Sequence, residues 1–135
     1  MNPYTLKMDR FGSAILVDTE IWSKKDECFL PVSLIFDTGA AKTTIATDIL
    51  VDLGYDVTEG KTKRIITASS VEYVKEIQID RIRLAQYETE PASVYSHLFP
   101  AETYTSGVIG LDILSRFDIH LLFSKRIIEL YPIEG

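Results

Sequence analysis

The 135 residues suit one compact domain, and a composition of 46% hydrophobic and 25% charged residues supports a buried core, which excludes a disordered chain. The net charge of −6 argues against a nucleic-acid backbone or an anionic membrane as partner. The single cysteine, Cys28, excludes an intrachain disulfide and suits a reducing compartment. Beside Phe29 and Leu30, Cys28 reads as a small buried apolar residue with no activating base nearby in sequence. Residues 1–7 lack the apolar core of a signal peptide, and no apolar run approaches the roughly 18 residues that cross a bilayer. A soluble, cytoplasmic protein is expected.

In chain order, the first two β-prone apolar runs are Ser13-Ala14-Ile15-Leu16-Val17 and Cys28-Phe29-Leu30-Pro31-Val32-Ser33-Leu34-Ile35-Phe36. The polar residues 18–27 between them read as a hairpin connection. Pro31 puts the first half of the second run at a sheet edge. Residues 47–54 read as a short helix: Thr47 as its cap, Asp48 at the positive end of its dipole, Gly54 as its stop, and Ile49, Leu50 and Leu53 on one face. Lys61, Lys63 and Arg64 form a short basic run that reads as a solvated turn. Strand character then spans residues 64–84, with Ile65 and Thr67 before a polar tip at Ala68-Ser69-Ser70. Val71, Tyr73, Ile77 and Ile79 follow at odd positions, as on a strand with one buried face. Residues 85–106, with Pro91 and Pro100, read as strand plus loop, and 112–117 as a second short helix capped by Asp112. Residues 119–122 and 126–131 form a hairpin around 123–125, in which His120 reads as a strand residue with a satisfied ring. No repeat or linker divides the chain.

One acid stands in an unusual place. Asp37 ends the apolar run Val32-Ser33-Leu34-Ile35-Phe36 and is followed by Thr38, Gly39 and Ala40. Its carboxylate belongs at the rim of a core. Gly39 permits a tight turn and the close approach of an amide, and the Thr38 hydroxyl can tie that turn to nearby backbone. On these residues alone, an ordinary turn after a strand competes with a catalytic acid.

Leu34-Ile35-Phe36-Asp37-Thr38-Gly39-Ala40 resembles the active-site segment of retropepsin-like aspartic proteases. Downstream, Gly107-Val108-Ile109-Gly110-Leu111-Asp112-Ile113-Leu114 resembles the family's apolar-apolar-Gly segment and the short helix after it. Residues 65–74 fall where the family has its flap hairpin. The resemblance spans roughly residues 12–132 and implies one domain over 1–135. The implied fold is all-β, a single-lobe acid-protease fold with one or two short helices, active as a dimer. The implied activity is that of an aspartic endopeptidase acting on a peptide or protein substrate without cofactor or metal. In the family two aspartates share a proton: one activates water while the other hydrogen-bonds the substrate carbonyl.

This chain holds one Asp-Thr-Gly; Asp18-Thr19-Glu20 lacks the glycine and reads as surface. The resemblance therefore implies a homodimer in which each copy contributes Asp37. Residues 6–8 and 127–131 are then the expected interchain strands. Thr38 would bind across the dimer axis, and Gly39 would donate its amide toward the carboxylates. Ala40, unlike the serine or threonine of two-lobed relatives, would leave the dyad active into the weakly acidic or near-neutral range. Thr67, Ala68, Ser69 and Ser70 would form the flap tip over the substrate.

The chain departs from the family in two places. Its tip has no glycine, and residues 95–106 are longer than the family minimum, so Tyr95, His97 and Tyr104 are expected to shape or obstruct the cleft. Asp112 reads as a helix cap and not as a second acid. Rival motifs fail: Gly39-Ala40-Ala41-Lys42-Thr43 lacks the glycine before the lysine of a phosphate loop, and His97 and His120 have no zinc-ligand spacing. There is no Gly-x-Ser-x-Gly segment. The remaining alternative is a dimeric peptide-binding module of the same fold that cuts weakly or not at all.

Overall fold

The computed structural model describes residues 2–66, 68–89, 92–99 and 105–134. Among them are thirteen strands and two short helices. A long hairpin opens the architecture: β3 (Ala14–Ser23) and β4 (Cys28–Phe36) are joined by the turn at residues 24–27. The connection is shorter than the polar composition of 18–27 suggests. Strand β3 runs on through that stretch because its side chains alternate: Val17, Thr19, Ile21 and Ser23 are buried, while Asp18 is exposed. Thr19 is thus interior and not surface, and its hydroxyl donates to the Val32 carbonyl at 2.7 Å. Cys28, at the start of β4, is exposed and not buried, since the hairpin end reaches past the core. Pro31 does lie at an edge: among the described residues the first half of β4 pairs only with β3.

Around this hairpin a ten-stranded sheet assembles from β2 (Asp9–Phe11), β3, β4, β5 (Thr44–Ala46), β6 (Lys61–Ile66), β7 (Val71–Ile79), β8 (Ile82–Leu84), β9 (Tyr87–Thr89), β10 (Ala92–His97) and β11 (Gly107–Ile109). Its order is β6-β7-β10-β5-β11-β4-β3-β8-β9, with β2 paired to β3. Helix α1 (Thr47–Asp52) follows β5 and presents Leu50 to the core, with Leu53 buried just beyond; Gly54 at φ +90° ends it. Thr47 does not cap this helix. Ala46 is the N-cap residue, and the Thr47 hydroxyl pairs with that of Ser96 at 2.7 Å. Lys61, Lys63 and Arg64, read as a turn, lie in the edge strand β6, where cations discourage further strand pairing.

Strands β6 and β7 form a hairpin whose outer part leaves the sheet. Residues 75–79 of β7 also pair with β10, whereas among the described residues 71–74 pair only with β6. That explains why the expected buried face holds at Ile77 and Ile79 but fails at Val71 and Tyr73, which are exposed.

A second sheet, β1 (Tyr4–Lys7), β13 (Ile127–Pro132) and β12 (Phe117–Leu122), closes the core with Leu6, Ile128 and Leu130. β12 and β13 form the expected terminal hairpin, with His120 exposed and 3.6 Å from Glu129 Oε1. β13 is the central strand, hydrogen-bonded on both sides within the chain. Among the described residues, 127–130 thus offer no free edge to another chain, contrary to the expectation for residues 127–131.

The outer face of β3, β4 and β8 is fastened by cations stacked on rings. The Arg81 guanidinium lies 4.7 Å from the Trp22 and Phe29 ring centroids, and that of Arg83 lies 4.0 Å from Phe29. Arg81 also pairs with Glu88. Arg83 donates to both carboxylate oxygens of Glu20 at 2.8 and 3.0 Å, and this bond holds the Glu20 carboxyl below its ordinary 4.5. A depressed folded-state pKa contributes stability above the unfolded value and loses it as pH falls through the folded one. Glu20→Gln should therefore lower Tm at pH 7 slightly and flatten its fall below pH 4.5, a comparison that thermal unfolding across pH makes directly.

Candidate active site

Asp37 follows the last residue of β4, between two strands that fix its loop. β4 pairs with β3 on one side, and Ile35 and Phe36 pair in parallel with Val108 and Ile109 of β11 on the other. The Asp37 amide then donates to the Ile109 carbonyl at 3.1 Å. The side chain is half-buried, and its Oδ1 accepts the Gly39 amide at 2.8 Å. A Cβ on residue 39 would stand 3.2 Å from that same oxygen, so glycine lets the backbone come this close. The amide fixes the orientation of the carboxylate.

Thr38 is exposed, and among the described residues its hydroxyl has no hydrogen-bond partner. Ala40 is half-buried; its amide donates to the Asp37 carbonyl at 3.2 Å, and its carbonyl accepts the Leu111 amide at 2.8 Å. Ala68, Ser69 and Ser70 lie exposed at the end of the β6–β7 hairpin, while Thr67 and Tyr104 lie outside the described residues. Tyr95 and His97 lie on β10 and are half-buried. Among the described residues no group of three or more His, Cys, Asp or Glu side chains could hold a metal ion.

Asp112 has a role that the sequence did not reveal. Helix α2 (Leu111–Leu114) is capped by Gly110 and not by Asp112, which lies in its first turn. The Asp112 Oδ1 accepts both the Thr43 amide at 2.9 Å and the Thr43 hydroxyl at 2.8 Å. The Thr43 hydroxyl oxygen in turn accepts the Gly110 amide at 3.1 Å, and Thr43 is fully buried. The Asp112 amide adds a bond to the Ala41 carbonyl at 3.2 Å. The loop carrying Asp37 is thus clamped, from residue 37 to residue 43, onto the segment 109–112. The fit is close at Gly110, where a Cβ would meet the Ala40 carbonyl oxygen at 2.6 Å. Only the short contiguous motifs mark this pairing in sequence; a carboxylate serving an amide 69 residues away leaves no local pattern.

Residues 26–113 match the sequence profile described as aspartyl protease, and no curated protein is significantly similar to the chain. Among solved structures, a retropepsin-like aspartic protease from Rickettsia conorii superposes with a TM-score of 0.68 at 18% identity, covering 94% of this chain and 89% of that one. The retroviral protease-like domain of Ddi1 from Leishmania major gives a TM-score of 0.56 at 17% identity, over 92% and 97% of the two chains. The fold is therefore retropepsin-like, and with a matched profile that spans most of its length and includes both the Asp37 loop and the Gly110 segment, the chain belongs to the aspartyl protease family.

Proposed function

We propose that the chain is an aspartic endopeptidase that works as a homodimer, with Asp37 of each copy forming the catalytic pair. The observation that carries this reading is the single half-buried Asp37 carboxylate, oriented by the Gly39 amide on a loop clamped at both ends. Family membership and fold support it. One carboxylate cannot act as acid and base at once; two brought together share one proton, because like charges at close range resist joint ionisation. The ionised member takes a proton from water, and the oxygen attacks the peptide carbonyl. The protonated member hydrogen-bonds and then protonates the carbonyl oxygen. Collapse of the tetrahedral intermediate breaks the C–N bond: the departing nitrogen takes the proton that the first carboxyl received from water, and a hydroxyl of the intermediate returns one to the second carboxylate. The projecting β6–β7 hairpin serves as a flap over the bound peptide. The exposed Thr38 hydroxyl, beside the carboxylate, is available to the second copy. In the terminal sheet the unpaired edges belong to β1 and β12, and these are the strands open to interchain pairing. Without a disulfide to form, such a protein suits the cytoplasm.

Purified protein incubated with a random peptide mixture should generate new peptide termini, and pepstatin should suppress them. Dimers that bind peptides yet release no products would favour the non-catalytic module of the same fold.

A further inference from the structure

A groove of about 460 Å³ lies beside the root of the β6–β7 hairpin, lined by Thr47 of α1, Val57, and residues of β6, β7 and the end of β10. None of the residues that line it belongs to the Asp37 loop or to the segment 107–112 that clamps that loop. Its apolar wall includes two of the most exposed large apolar side chains of the chain, Leu98 at 76% and Tyr73 at 67%, together with Val57 and Val74. Such surface, gathered around a concavity, marks a place where a ligand gains by covering it. The polar side is basic. Lys75 and His97 both line the groove, and among the described residues no carboxylate lies within ion-pair distance of the Lys75 ammonium. The Thr47 and Ser96 hydroxyls satisfy one another at 2.7 Å, so the open charge belongs to Lys75. A lysine ammonium beside apolar walls recognises an anion that carries a hydrocarbon body.

We propose that this groove binds small apolar carboxylates, aliphatic or aryl acids, with the carboxylate at Lys75 and the hydrocarbon against Tyr73, Val57 and Leu98. The proposal stands apart from proteolysis, and its test needs no cleavage. Octanoate, octanol and octylamine would be titrated into the labelled protein while backbone amide shifts are followed by NMR. Octanoate should shift the amides of Thr62, Lys75 and Leu98, with octanol binding about tenfold more weakly and octylamine more weakly still. Lys75→Gln should reduce octanoate affinity about tenfold and leave octanol unchanged. Asp37→Asn should leave octanoate binding unaltered, which separates this site from the proposed catalytic one. Three results would overturn the proposal: no saturable octanoate shifts, equal binding of octanoate and octanol with no effect of Lys75→Gln, or shifts centred on residues 37–43.

Discussion

Asp37→Asn should abolish peptide cleavage, lowering kcat/KM about 10³-fold or more, while leaving the fold and its self-association intact. An asparagine is nearly the same size and keeps an oxygen for the Gly39 amide, which Asp37 Oδ1 accepts at 2.8 Å. The loop therefore has no reason to move. What the amide lacks is a proton to share and a basic oxygen to take one from water. The substitution thus separates chemistry from structure: circular dichroism and sedimentation should match the wild type while product formation disappears. Appreciable cleavage by the asparagine protein at matched concentration would exclude Asp37 as the acid.

Asp112→Ala should cost stability and activity together. It removes the acceptor of the Thr43 amide and hydroxyl, and Thr43 is fully buried, so water cannot readily replace it. Leaving buried donors unsatisfied costs on the order of 2–4 kcal/mol for the pair. In a domain of this size that lowers Tm by roughly 6–15 °C. The loop it holds carries Asp37, so residual activity in the folded fraction should fall as well. Asp112→Asn separates the two possible causes. Its carbonyl oxygen can still accept both bonds, so most of the stability should return even though the charge is gone. If Asn is as damaging as Ala, the charge of Asp112 matters more than its hydrogen bonds. Denaturant unfolding of the three proteins, with cleavage rates measured on folded material, decides between them.

Much of the site could be read directly because its signals are local. A strand rich in Val, Leu, Ile and Phe that runs into Asp37 and a glycine states both the strand and its abrupt end. Gly107 to Gly110 does the same for the facing segment, and a terminal apolar hairpin is visible from its turn at residues 123–126. The failures share a different cause: each depends on what a residue meets far away in the chain. Thr19 looks polar and superficial until Val32 supplies its acceptor. Asp112 looks like a cap until Thr43 arrives. Tyr73 fits a buried strand face, but the hairpin leaves the sheet before reaching it. β13 resembles a free edge because its partner β1 lies at the opposite end of the sequence. Periodicity reports which face of an element is apolar; it carries no record of what arrives to cover that face.

The central claim is that two copies assemble one catalytic pair, and the dependence of activity on concentration tests it most directly. Cleavage of one peptide substrate should be followed over serial dilution, with the association state at each concentration measured by sedimentation. The account predicts that specific activity falls in step with the dimer fraction and vanishes in the monomer, because the described chain offers one Asp-Thr-Gly carboxylate and no second. Constant specific activity from a species that sediments as a monomer would contradict it.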